Sequence, residues 1–305
     1  MMRKRFRWAL PLLACLFLAG CGGDAGDVAS VTIAESSIEA LVPSSGNAVS
    51  PDASSSAEPG NADETQDDQK EPEMHGLEYF LRTALLPVGE TAYVWGGGWN
   101  EEDTGAGTEA RTLGLSPRWK EFAKDLPSNY NYKKTRYQIH DGLDCSGFIG
   151  WAVYNTLETE DGKEGYVYAS TEVAQNLASL GLGEFTSEKS VTEWKPGDVA
   201  SMNGHVWISL GTCEDGSVLL VHSSPPGVRL CGIAKSSKAK AAVKLAENYM
   251  QTYYPDWYSR FPDCESPKSY LKKTAQFRWS EETFPDAAQI QSMTPETLLK
   301  LLYNE

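Results

Sequence analysis

Apolar and polar positions divide the chain into three stretches. Ala9 to Leu18 is a short apolar run behind Arg3, Lys4, Arg5 and Arg7. Gly22 to about Glu73 has no sustained periodicity; it is built from Ser, Ala, Gly, Pro, Asp and Glu, with Lys70 its one basic residue. From about Met74 to Glu305 the patterning is that of an ordinary globular chain, long enough to bury one sizeable core. Leu77 to Leu86 has helical apolar spacing and stops at Pro87. A second helix is predicted to open at Cys145 and run to about Leu157, and a third lies within Ser170–Leu180. Val206, Ile208 and Leu210 alternate with His205, Trp207 and Ser209, which predicts a strand. Ser217 to Ser223 reads as a largely buried strand. The loop Thr212-Cys213-Glu214-Asp215 between them predicts a hairpin in which His205 and His222 fall directly opposite. Further helices are expected over about Ser236–Tyr253 and near Pro295–Tyr303, giving an α+β domain.

The first stretch changes the picture of where this domain works. A basic start, a short apolar run and small residues before Cys21 predict an export signal over residues 1–20. Residues 21–73 then predict an acidic tether, because too little apolar area is present to offset ordering entropy. A flexible chain of this length spans roughly 40 Å root-mean-square. The formal charge is −15, and about −19 once the four basic residues of the signal are gone. That balance argues against nucleic acid as a partner, since phosphate contacts need Lys and Arg patches.

Candidate chemistry centres on Asp144-Cys145-Ser146-Gly147. A cysteine at a helix start sits near unsatisfied N–H groups and the positive end of the helix dipole, which favour the nucleophilic thiolate. Asp144 is a natural capping residue there. Cys145 alone fits a buried small apolar side chain equally well. His205 as base and His222 as its orienting partner complete a Cys-His-His set. His140 is an alternative base close in sequence, and His75 lies at the tether boundary.

Five segments in order resemble the NlpC-type cell-wall cysteine peptidases, a papain-like superfamily. They are Tyr93-Val94-Trp95-Gly96-Gly97, Asp144-Cys145-Ser146-Gly147-Phe148, Trp194-Lys195-Pro196-Gly197-Asp198, His205 to Gly211, and Val221-His222-Ser223. Leu18-Ala19-Gly20-Cys21 resembles the lipobox of bacterial lipoproteins. The resemblance implies a papain-like core whose nucleophile helix packs on an antiparallel sheet; no cofactor is expected, and no ligand cluster of usual spacing suggests a metal site. It implies hydrolysis of peptidoglycan stem peptides, often at the D-glutamyl–diamino acid bond. Cys145 would be nucleophile, His205 base and His222 orienter, with Tyr93, Asp144 and Ser146 near substrate or oxyanion. It also implies a lipid on Cys21 and an extracytoplasmic, membrane-anchored enzyme. An amidase or acyltransferase of the same superfamily, or a non-catalytic wall-binding lipoprotein, are the alternatives.

Three features depart from compact relatives. About 99–141 reads as a long surface insertion, the loop between the two histidines is somewhat extended, and a C-terminal extension beyond the shared core is expected from about residue 231. Its patch Tyr253-Tyr254-Pro255-Asp256-Trp257-Tyr258 suits packing more than sugar stacking. A disulfide between two of Cys213, Cys231 and Cys264 would fit an exported chain.

Overall fold

The computed structural model describes residues 75–157 and 164–305. The expected signal segment, Cys21 and the tether to residue 73 lie outside the described residues. Helix α1 (Leu77–Leu85) buries Leu77, Phe80, Leu81, Ala84 and Leu85, a single apolar stripe. Gly76 before it has no side chain with which to cap. The Asp286 carboxylate takes that role, accepting the N–H groups of Leu77 and Glu78 at 2.5 and 3.0 Å. Arg82 donates to the carbonyls of Leu301 and Leu302 at 2.8 and 2.7 Å. Residues more than 200 positions away thus hold both ends of α1.

The centre is a nine-stranded sheet. Its strands are β1 (Ala92–Tyr93), β2 (Gly142–Leu143), β3 (Gly183–Thr186), β4 (Val199–Met202), β5 (His205–Thr212), β6 (Val218–Ser224), β7 (Gly227–Ile233), β8 (Glu265–Ser266) and β9 (Ala275–Trp279). They lie in the order β2-β1-β7-β6-β5-β4-β9-β3, with β8 on β7. All pairs are antiparallel except β1–β2 and β7–β8. The remaining helices are α2 (Pro117–Lys124), α3 (Cys145–Leu157), α4 (Val173–Ser179), α5 (Ala241–Tyr253), α6 (Pro255–Arg260), α7 (Ala287–Gln291) and α8 (Pro295–Leu302). The class is α+β, as the pattern predicts.

Alternation along β5 and β6 gives the sheet two unlike faces. Val206, Ile208, Leu210, Leu219 and Val221 enter the main core with α1 and α3. Helix α3 is buried nearly all round, including Phe148, Ile149, Trp151 and Val153, which fits an interior helix. Trp207, Val218, Leu220, Cys231 and Ile233 form a second cluster on the outer face with Trp194, covered by Val191, Tyr270 and Leu271.

Three expectations need correction. The C-terminal segment, expected as an extension beyond the family's shared core, is built into this sheet: residue 231 falls inside β7, and β9 sits between β4 and β3. The insertion at 99–141 is more than surface. Its Trp119 is buried and meets Trp151 of α3 edge to face, at 6.0 Å between centroids. The hairpin register also differs. Ile208 pairs with Val221, which carries His222 opposite Trp207 rather than His205, and the register shifts between Ser209 and Gly211. A slip of two residues keeps both histidines on one face, so they meet diagonally.

Candidate active site

The start of α3 is organised by Asp144. Its Oδ1 accepts the Gly147 N–H at 2.7 Å and the Ser146 hydroxyl at 2.9 Å; its Oδ2 accepts the Gly96 N–H at 3.3 Å. The carboxylate therefore caps α3 and fastens the loop after β1 to it. Burial raises its pKa to about 6 despite these donors. Ser146 Oγ also accepts the Trp99 indole N–H at 3.0 Å. Two glycines make this approach possible: a Cβ on Gly147 would lie 2.0 Å from the Gly97 carbonyl oxygen, and Gly98, at φ +89°, would meet the Gly147 backbone.

Cys145 follows this cap and is 8% exposed. Burial pushes its thiol up to about 12, and the Asp144 charge adds to the rise. The N–H groups of Val206, Ser146 and Cys145 itself oppose it without prevailing. The expectation of a thiolate favoured by the helix start is thus reversed: desolvation outweighs the dipole, and the resting group is a neutral thiol.

His205 opens β5 and His222 lies on β6. Their Nε2 and Nδ1 atoms are 2.9 Å apart, so the pair predicted from the hairpin forms despite the changed register. Burial, then the Arg229 charge, lowers His205 to about 3. Burial, His205 and Arg229 take His222 well below its usual value. Both rings are neutral at neutral pH. His222 Nε2 is buried with no hydrogen-bond partner. Neither imidazole hydrogen-bonds the Cys145 thiol; the sulfur instead faces the N–H of Val206, the residue next to His205.

Tyr93, on β1, is 7% exposed, and its pKa is raised by burial and then by the Cys145 and Asp144 charges nearby. Its ring meets Tyr132 of the insertion edge to face at 5.4 Å. Tyr270, from the turn before β9, lies over His205 with centroids 4.6 Å apart. Cys145, His205, His222, Tyr93, Asp144 and Ser146 are therefore gathered, with Asp144 and Ser146 engaged internally. His140 pairs instead with Glu109, and His75 stacks on Tyr79. Cys213, Cys231 and Cys264 are free, buried thiols, so no disulfide joins them. Among the described residues no His, Cys, Asp and Glu cluster could hold a metal ion, and no helix is long and apolar enough to cross a membrane.

Four site residues escaped the sequence reading: Trp99, Tyr132, Arg229 and Tyr270. Arg229 faces His222 directly across β6–β7 and could have been found once β7 was recognised. Tyr270 sits in a polar segment with no local signal. Compared with protein families, curated proteins and solved structures, the chain finds no match.

Proposed function

We propose that this chain is a thiol hydrolase of the NlpC type, with a papain-like core, cleaving stem-peptide bonds of peptidoglycan outside the cytoplasm while held to the membrane by lipid on Cys21. The single observation that carries the reading is the His205–His222 pair at 2.9 Å, on the strand whose next N–H faces the Cys145 sulfur at the head of α3. With Nε2 of His205 committed to His222, its Nδ1 is the atom left to act as base. Neutral His205 then carries its proton on Nε2 and donates to Nδ1 of His222, whose own proton sits on Nε2.

Attack begins as the thiol proton passes to His205 Nδ1 and sulfur bonds the substrate carbonyl carbon. Backbone N–H groups at the start of α3 and the Tyr93 hydroxyl stabilise the oxyanion. The C–N bond breaks as His205 protonates the leaving amine, leaving a thioester. Water, deprotonated by His205, cleaves the thioester and the thiol is restored. A proton transfer concerted with attack suits a resting pair of neutral thiol and neutral imidazole.

Near-complete burial of Cys145 favours a second reading, a wall-binding lipoprotein that has kept the fold without turnover. Incubating the full chain with purified peptidoglycan and weighing the fragments separates the two. Fragment release that disappears in Cys145→Ala supports the hydrolase. Undiminished release by that variant refutes the thiol mechanism, and no release by the intact chain selects the binding module.

A further inference from the structure

A sizeable cavity lies away from the thiol, on the outer face of the sheet. Its volume is about 790 Å³, the size of a pocket for a small organic ligand. Four lysines from three segments surround it: Lys195 before β4, Lys235 after β7, and Lys268 and Lys272 around the turn before β9. Trp194 forms part of the wall, backed by Trp207 at 4.5 Å between centroids. Glu188 and Glu193 also reach the lining. Glu193 is already engaged, 3.2 Å from Lys195 and 3.4 Å from Arg278. Among the described residues, the ammonium groups of Lys235, Lys268 and Lys272 have no ion-pair or hydrogen-bond partner. In a chain of net charge −15, four lysines against two glutamates around one concavity run against the overall charge, even though Lys235, Lys268 and Lys272 are exposed.

We propose that this cavity is a binding site for a multivalent anion, phosphate- or carboxylate-bearing, whose charged oxygens engage Lys235, Lys268 and Lys272 and whose apolar part lies on Trp194. Ammonium groups are point donors that accept either oxyanion, so the shared chemistry is the anionic oxygen. The site does not depend on the thiol chemistry. It shares one element with it: the turn from Lys268 to Leu271 lines the cavity with its ends and lays Tyr270 over His205.

Calorimetric titration of the full chain at about 0.15 M salt tests this, because long-range attraction is largely screened there. The probes are pyrophosphate, citrate and neutral trehalose. Saturable binding of pyrophosphate, citrate or both, with none of trehalose, is expected, and the stronger anion identifies the source. The triple variant K235Q/K268Q/K272Q should weaken binding at least tenfold. A charge-matched control, K120Q/K124Q/K133Q, should leave it unchanged, with equal melting temperatures for both variants. Absence of saturable anion binding by the parent chain, or equal weakening by both triple variants, overturns the proposal.

Discussion

The two faces of the central sheet obey the same alternation and end in opposite states. On the inner face, Val206, Ile208, Leu219 and Val221 meet α1 and α3 in an apolar core. On the outer face, the neighbouring positions of the same strands carry His205, His222 and, on β7, Arg229, all buried. The inner face is stabilised by removing apolar area from water. The outer face places titratable groups in the same dry surroundings, where desolvation costs them their charged forms. The difference teaches that one strand pair can serve packing and chemistry together: the inner parity packs throughout, whereas the outer parity carries the titratable groups beside a smaller apolar cluster of Trp207, Val218 and Leu220.

The largest break in that comparison should come from the chemical groups. Cys145→Ala or His205→Ala is expected to lower wall-fragment release by at least about 10³-fold, as for other catalytic units, with the melting temperature unchanged or raised. A parallel fall in stability would mean that these positions belong to the packing after all. Next comes the inner side: Phe148→Ala, fully buried in α3, should destabilise by about 3–5 kcal/mol in denaturant unfolding. A cost under 1 kcal/mol would show that the inner core tolerates a void.

Titration sharpens the contrast further. His205 is lowered to about 3 and His222 also lies below the ordinary 6.5, so the unfolded chain binds more protons at acid pH. The stability held by the neutral pair is present above pH 6.5 and is lost as pH falls towards 3. Asp144, raised from 3.8 to about 6, acts in the opposite sense between those values. Cys145, raised from 9.0 to about 12, removes stability as pH climbs above 9. Unfolding free energy measured in pH steps should therefore be highest between about 6.5 and 9, and H205N/H222N should flatten the acid limb. An acid limb identical in that variant would assign the loss to other groups. Alkylation of Cys145 by iodoacetamide should be slow at pH 7 and still rising beyond pH 9; a plateau near neutrality would mean a thiolate–imidazolium pair. The smallest effect is expected from Tyr270→Ala, which uncovers His205 and should speed that alkylation several-fold.

Local signals sufficed for α1, α3 and the β5–β6 hairpin, because α1 and β5 carry clear periodicity while α3 and β6 are compact apolar runs bounded by polar segments. The histidine pair was legible for the same reason, though its diagonal geometry was not. A register shift between Ser209 and Gly211, where Gly211 adopts φ +108°, moves the pairing without leaving a polarity signal. What escaped was long-range. Nothing near Gly76 announces that Asp286 caps α1, and nothing in Lys268-Ser269-Tyr270-Leu271 announces a histidine beneath it. The thiol's raised pKa was misjudged for a related reason: the helix start is local, whereas the desolvation that outweighs it comes from distant covering segments.

Strand β9 bears on how the molecule is made. Residues 275–279 pair on one side with β4 and on the other with β3. Until they arrive, both of those strands present open edges capable of pairing with other chains. The sheet can close only after Trp279 has been synthesised, and Asp286, which caps the first helix, comes later still. A chain truncated before Ala275 would retain the thiol and both histidines yet lack the strand that completes their scaffold. Assembly of this domain is governed by its tail.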